Sequence, residues 1–291
     1  MQALVTGGAG FVGTNLIKRL LKEGHKVISL DNYSTGKKEN EQNGCKYYEL
    51  DLSSKSSLGS LDSIGIVNKI SKFDVVFHLA AKARVQPSFN NPEEYIDVNF
   101  KGTYNIVRYC TRKNIPLIYA GSSSHHSGKY KNPYTFSKDM GEEIIQLYTK
   151  NFGLKATIAR FYNVYGPYQL TEGGYTTLIG RWINNIEKGI ECEIYGDGNQ
   201  SRDFTHVEDI IKGLTLIAAK KSYGYIFELG RGRDYTVNDV AKMFNIKPKY
   251  KPEKPGEARQ TLADYHLINK VLGWEPKINL IDYVTEYRNN R

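Results

Sequence analysis

Short apolar, β-branched runs alternate through the first 160 residues with longer stretches in which apolar positions recur every three to four residues. "QALVT" (2–6), "KVISL" (26–30), "CKYYEL" (45–50), "DVVFHLA" (74–80), "IPLIYAGS" (115–122) and "KATIARF" (155–161) predict strands. The stretches 12–22, 95–113 and 137–151 carry helical spacing. Strand-helix alternation of this kind predicts parallel strands with helices on both faces, which is a doubly wound α/β sheet. After Tyr165 the rhythm gives way to Gly-rich loops, a helix near 176–188 and the stretch "KPKYKPEKPGE" (247–257). The expected division is a sheet domain of 1–164 plus 206–230 and a smaller C-terminal lobe of 165–205 plus 231–291. No internal repeat or low-complexity tract interrupts it.

Composition narrows the classes of partner. The chain has 291 residues, 40% of them apolar, enough for one large core plus a small lobe. Its 40 Lys and Arg against 31 Asp and Glu leave a net charge of +9, which suits an anionic small ligand. The basic residues are spread along the whole chain and form no stripe or arm, so a nucleic-acid partner is not expected. Cys45, Cys110 and Cys192 are far apart and odd in number, which indicates neither a disulfide framework nor a metal site. No apolar stretch approaches bilayer length and no leader-like segment precedes the first strand, so no membrane partner is expected. These features predict a soluble cytoplasmic protein.

The first strand-to-helix turn carries the clearest chemistry. "LVTGGAGFVGTNL" (4–16) places Gly7, Gly10 and Gly13 in GxxGxxG spacing. Gly7 permits the tight turn, Gly10 lets backbone approach a pyrophosphate, and Gly13 lets the helix pack against the sheet. The helix N-terminus then offers free N–H groups to the anion. Asp31, ending the second strand, can accept both ribose hydroxyls and would repel a 2′-phosphate, which favours NAD over NADP. Asp51 is placed to meet the adenine amino group, or to cap a helix. Phe11, Val12, Asn32, Leu52 and Ala80 complete the expected cofactor wall on that side.

A second stretch, "SSSHHSGKYKNPYTFSK" (122–138), puts Tyr134 four residues ahead of Lys138. On a helix the two side chains share a face. A phenol with an ordinary pKa of about 10 is a weak base at neutral pH. A neighbouring ammonium and a cationic nicotinamide would favour the phenolate. Tyr134 could then accept a proton from a hydroxyl held by Ser123, while the same spacing also fits a plain surface helix.

Seven segments in order decide between these readings: "TGGAGFVG", "DNYSTG", "HLAAKARVQPSFNNPEEYIDVNFKGTYNI", "YTFSK", "ARFYNVYGP", "YGDGNQSRDFTHVEDI" and "PGEARQTLADYHLINKVLGWEP". Over nearly its whole length the chain resembles the extended short-chain dehydrogenases/reductases that act on nucleotide sugars. The resemblance implies a Rossmann-like domain with a substrate-binding lobe and a bound NAD. It also implies a Ser123, Tyr134, Lys138 catalytic set, with Asn99 holding the nicotinamide side. Asn163, Arg202 and Arg259 would face the sugar nucleotide, the arginines gripping its diphosphate.

Two departures from the family pattern bear on the reaction. Relatives that dehydrate a hexose resemble one another in an Asp-Glu pair after the catalytic hydroxyl, and decarboxylating relatives keep a Glu at the second position. Here those positions hold Ser124 and His125. What survives is hydride removal and return, the minimum for a 4-epimerase acting on UDP-glucose or UDP-galactose, or on a UDP-N-acetylhexosamine. A UDP-sugar decarboxylase or 4,6-dehydratase in which His125 replaces the Glu is the alternative within the enzymes. A non-catalytic NAD-sensing protein on the same fold is the alternative outside them. The stretch from Ser123 to Tyr134 is also shorter than usual, which predicts a more open sugar pocket. Near the C-terminus, Thr261 occupies the place of a gate beside the sugar and is small enough to admit an acetamido group. The resemblance also implies a homodimer packed through the helices predicted at 95–113 and 137–151.

Overall fold

The computed structural model describes residues 1–67 and 72–290. Its strands are β1 (Gln2–Thr6), β2 (Lys26–Asp31), β3 (Cys45–Glu49), β4 (Val75–His78), β5 (Leu117–Ser122), β6 (Ala156–Phe161), β7 (Glu193–Tyr195), β8 (Ser201–Asp203), β9 (Ile226–Leu229), β10 (Asp234–Thr236), β11 (Lys249–Lys251) and β12 (Gln260–Thr261). Seven of them form one sheet in the order β3-β2-β1-β4-β5-β6-β9, with every neighbouring pair parallel. The fold is therefore α/β and doubly wound. The strand order reverses between β1 and β4, and a crevice opens beyond the C-terminal ends of such strands.

Both faces of the sheet are covered, which is why its strands are nearly continuous apolar runs. On one side Leu16, Ile17 and Leu20 pack with Ile210, Leu214 and Ile217 from the helix Val207–Lys220. On the other, Ile106, Val107 and Ile145 pack over Leu4, Val76 and Ile158. A third cluster, including Trp182, Phe204, Val240 and Phe244, lies under the two small sheets β10-β8-β12 and β11-β7.

Local chemistry fixes the helix that carries Tyr134 and Lys138. Asn132 caps it, its side-chain oxygen accepting from Thr135 N at 2.7 Å, and Pro133 opens it. The helix Pro133–Phe152 stops at Gly153, whose φ of 70° suits a residue without Cβ. The stretch predicted as one helix over 95–113 is instead broken: Pro92–Tyr95 leads into a π-type turn, Ile96–Lys101, before the helix Gly102–Lys113. The widened turn holds Asn99, whose hydrogen bonds account for it below.

A buried carboxylate helps tie the small sheets to the large one. Asp203 accepts from Arg231 N (2.8 Å), Gly232 N (2.8 Å) and Ala263 N (3.2 Å). Parallel pairing of β12 with β8 then sets Thr261 opposite Arg202.

Candidate active site

One cavity of about 950 Å³ runs from the β1 turn, past the β4 and β5 ends, to the small sheets. At one end lie Gly7, Gly10, Phe11, Val12 and Gly13, with Asp31, Asn32, Asp51, Leu52 and Ala80 beside them. Two of the glycines leave space no other residue could. A Cβ on Gly7, at φ 71°, would sit 2.8 Å from Ala80 N, and one on Gly13 would sit 2.1 Å from Gly7 O. The helix Phe11–Lys22 starts at Gly10 without a side-chain cap, so its first N–H groups remain free to meet an anion. Backbone cradle, helix terminus and carboxylate together fit a dinucleotide.

Asp31 is held in place by Ala9 N (2.9 Å) and Tyr33 N (2.8 Å). Burial raises its carboxyl above the usual range, and those backbone bonds oppose the rise. Asp51 is exposed and accepts from Ser53 N (2.9 Å) and Ser53 Oγ (2.8 Å), so it closes a local turn while lining the cavity.

The middle of the cavity holds Ser122, Ser123, Ser124, Tyr134 and Lys138. Here the geometry corrects two expectations. Tyr134 Oη donates to Ser122 Oγ at 3.0 Å, so Ser122, the last residue of β5, rather than Ser123, is the hydroxyl that meets the phenol. Ser122 Oγ also accepts from Ser124 N (3.2 Å) and Ser124 Oγ (2.9 Å), which fixes it. The second correction concerns the cation beside the phenol. Lys138 Nζ donates to Ala120 O at 2.7 Å and lies 4.1 Å from the centre of the Tyr119 ring. Burial pulls the Lys138 ammonium down to about 7, against the favourable charges of Glu142 and Asp139. Burial likewise raises the Tyr134 phenol, and the groups that pull it back are the Ser122 hydroxyl and the Arg84 guanidinium.

Asn99 does not line the cavity. Its Oδ1 accepts from Lys82 N (2.7 Å), and its Nδ2 donates to Lys82 O and Ser137 Oγ (2.9 Å each). It therefore ties the loop after β4 to the helix of Tyr134, with all its polar atoms used on protein. His125 and His126 also stand outside the cavity lining. His125 Nδ1 lies 2.9 Å from Asp139 Oδ1, and His126 Nε2 lies 2.5 Å from Glu228 Oε1.

At the far end are Asn163, Arg202 and Thr261, brought together by the small sheets. Asn163 Nδ2 donates to Thr261 Oγ1 at 2.9 Å. Arg259 is elsewhere: it is exposed and forms a two-point ion pair with Asp197 at 2.9 and 2.8 Å. The cations that do line this end, and that the sequence reading missed, are Arg84, Arg181 and Lys254. Lys254 Nζ lies 3.6 Å from the centre of the Tyr195 ring, and Arg181 donates through Nε and Nη2 to Thr176 Oγ1. The signal for Lys254 was its place just before Pro255-Gly256, where the chain turns into the cavity. Nothing in the local pattern marked Arg181.

Comparison with known proteins agrees with this arrangement. The chain is 30% identical to a UDP-glucuronate 4-epimerase of Thermodesulfobacterium geofontis, covering 95% of this chain and 92% of the relative. It is 31% identical to a UDP-N-acetyl-alpha-D-glucosaminuronate decarboxylase of Bacillus cytotoxicus, over 83% of this chain and 78% of that one. The crystal structure of a UDP-glucose 4-epimerase from Thermotoga maritima, with UDP-glucose, superposes with a TM-score of 0.91 at 29% identity, covering 100% of this chain and 99% of that chain. The family model that matches, over residues 3–230, is described as the NAD dependent epimerase/dehydratase family. That match covers most of the chain, and the chain belongs to that family, with NAD as its cofactor.

Proposed function

We propose that the protein is a nucleotide-sugar 4-epimerase acting on UDP-hexoses or UDP-N-acetylhexosamines. The observation that carries the reading is the wall after β5. Where a dehydratase or decarboxylase of the family would present carboxylates, this chain presents the Ser124 hydroxyl, and His125 is turned onto Asp139 away from the cavity. Acid and base groups for losing water or carbon dioxide are therefore not at hand beside Tyr134.

The residues that would hold NAD are the Gly7 to Gly13 turn, Asp31 and the Lys138 side of the helix; when bound, it supplies the acceptor and donor of the hydride at carbon 4. Ser122 and Tyr134 would share the 4-hydroxyl between them. Tyr134, as phenolate, takes its proton, and the same phenol returns it after the sugar has turned over. Arg181, Arg202 and Lys254 would hold the diphosphate while the sugar rotates. Thr261 and Asn163 leave room at carbon 2, since neither is an aromatic side chain.

The deciding experiment is incubation with UDP-glucose, UDP-N-acetylglucosamine and UDP-glucuronate, read by mass spectrometry and proton NMR. The expected product has unchanged mass and inverted carbon 4, and Tyr134→Phe should reduce its formation at least about a thousandfold while leaving NAD bound. Loss of water or carbon dioxide would replace this reading with a dehydratase or decarboxylase.

We also propose a homodimer through the helices Gly102–Lys113 and Pro133–Phe152. An aromatic ladder, Phe100 to Tyr104 to Tyr148 to Phe152, crosses both and leaves Leu147 and Phe152 about half exposed. A monomer by light scattering at micromolar concentration would overturn it.

A further inference from the structure

The far end of the cavity is lined by Arg84, Arg181, Arg202 and Lys254, with Glu193, Glu253 and Glu257 among them. Arg202 has a carboxylate nearby, Glu257 Oε2 at 3.7 Å. Arg84, Arg181 and Lys254 have no ion-pair partner among the described residues. Their polar contacts are neutral: Arg84 Nε donates to Tyr175 O at 3.1 Å, Arg181 to a threonine hydroxyl, and Lys254 sits over an aromatic face. A diphosphate bridging nucleoside and sugar carries two charges. Arg181 and Lys254, with Arg202, are the cations set to hold it.

Arg84 differs from the others in that its charge also acts on the reacting group, Tyr134. Its neighbour Ala83 accepts through its carbonyl from Tyr95 Oη at 3.1 Å, and the Tyr95 ring packs edge-on against Tyr134 with centroids 6.3 Å apart. The guanidinium is close enough to Tyr134 for its charge to favour the phenolate. The backbone there is also strained: Arg84 has φ 97° and ψ 137°, a region that favours glycine and costs a residue with Cβ about 1–3 kcal/mol. Strain and a cation without an ion-pair partner are two costs at one position, and the hydrogen bond to Tyr175 O is a contact to a neutral group. Glu257, the opposing charge that Arg84 feels, is already shared between Gln86 Nε2 at 3.0 Å and Arg202.

We propose that Arg84 is a specificity-determining residue that pairs with a carboxylate on the sugar ring, making the substrate a UDP-hexuronate rather than a neutral UDP-hexose. The inference rests on the epimerase reading above and replaces its neutral sugar with an acidic one. Carbon 6 is the position for the acid, two bonds from the carbon that Tyr134 serves. The planar guanidinium fork can meet both carboxylate oxygens at once. Such a pair has a second effect. A 4-keto hexuronate is a β-keto acid, and holding its carboxylate charge on Arg84 opposes loss of carbon dioxide, so the carbon is kept through turnover.

The test compares UDP-glucuronate with UDP-glucose on the NAD-loaded protein, by kcat/KM for 4-epimerisation and by calorimetric Kd. Wild type should favour the acid by about tenfold or more, as one charge-assisted two-point contact implies. Arg84→Met should cut that ratio about tenfold. Arg84→Gly, whose backbone suits φ 97°, should do the same while raising the melting temperature, which separates lost recognition from misfolding. Equal or better use of UDP-glucose by wild type, or a ratio that neither variant moves, would overturn the role of Arg84 and leave the epimerase reading standing. If neither sugar is epimerised, that reading falls, and the ratio of the two Kd values decides the acid preference by the same tenfold criterion.

Discussion

The two ends of the cavity are built from different materials. At the cofactor end the surface is backbone: the turn at Gly7, the free N–H groups of the helix Phe11–Lys22, and Asp31 pinned by Ala9 N and Tyr33 N. At the substrate end it is side chains carried by segments far apart in the chain, with Arg84 after β4, Arg181 on a helix, Arg202 on β8 and Lys254 in a loop. A backbone cradle demands particular residues at fixed spacing, because only glycine fits. A side-chain cluster demands only that charge arrive at one place, and many positions can deliver it.

That contrast predicts where substitution is costly. The largest effect is expected at the cradle. In Gly13→Ala the new Cβ would press on Gly7 O, a backbone atom that cannot swing away. The cost should be about 2–4 kcal/mol, a fall in melting temperature of about 5–10 °C, and the protein should purify without NAD. Retained NAD and an unchanged melting temperature would show that the turn can open.

At the substrate end a single cation matters less and its identity is what sharpens the comparison. Lys254→Ala should raise KM for the nucleotide sugar about tenfold to a hundredfold, from one lost charge-assisted contact. Arg259→Ala should change it less than about threefold, because that side chain is committed to Asp197 on the surface. Steady-state kinetics of the two variants side by side decide it, and the reverse order would return the diphosphate to Arg259.

An effect that depends on pH lies between the two ends, at Lys138. Its folded pKa, about 7, lies below the ordinary 10.5, so the unfolded chain binds an extra proton between those values and stability rises with pH there. Without nucleotide, wild type should gain on Lys138→Met by about 1 kcal/mol per pH unit from pH 7 to 10, and the variant should be the more stable of the two at pH 7. Urea unfolding of both proteins across that range measures it. Parallel curves would mean that water reaches the ammonium.

The same contrast explains how much of the molecule was legible in its sequence. Six strands of the large sheet and the glycine turn were readable because each depends on local pattern: apolar runs covered on both faces, and glycines where Cβ would collide. β9, Ile226–Leu229, lies beyond the strand-helix alternation of the first 160 residues and was absorbed into its surroundings. The exchange of Ser123 for Ser122 opposite Tyr134 turns on one residue at the end of β5, within a run of three serines that all line the cavity. Arg259 misled because a family motif fixes where a residue stands in the chain, while Asp197 decides which way its side chain goes. Asn99 was read as a wall residue because no pattern reveals that a π-type turn has spent its amide on Lys82 and Ser137.

Asp203 has a consequence for the order in which the protein can be made. Its carboxylate needs donors 28, 29 and 60 residues further along the chain, Arg231, Gly232 and Ala263. As synthesis proceeds from the N-terminus, strands β1 to β6 can assemble while the remainder is still on the ribosome. The floor of the substrate end cannot, because until Ala263 has emerged a charge meant for the interior lacks its full set of partners. The floor of the sugar end is therefore completed only after every residue of the cofactor turn has been made.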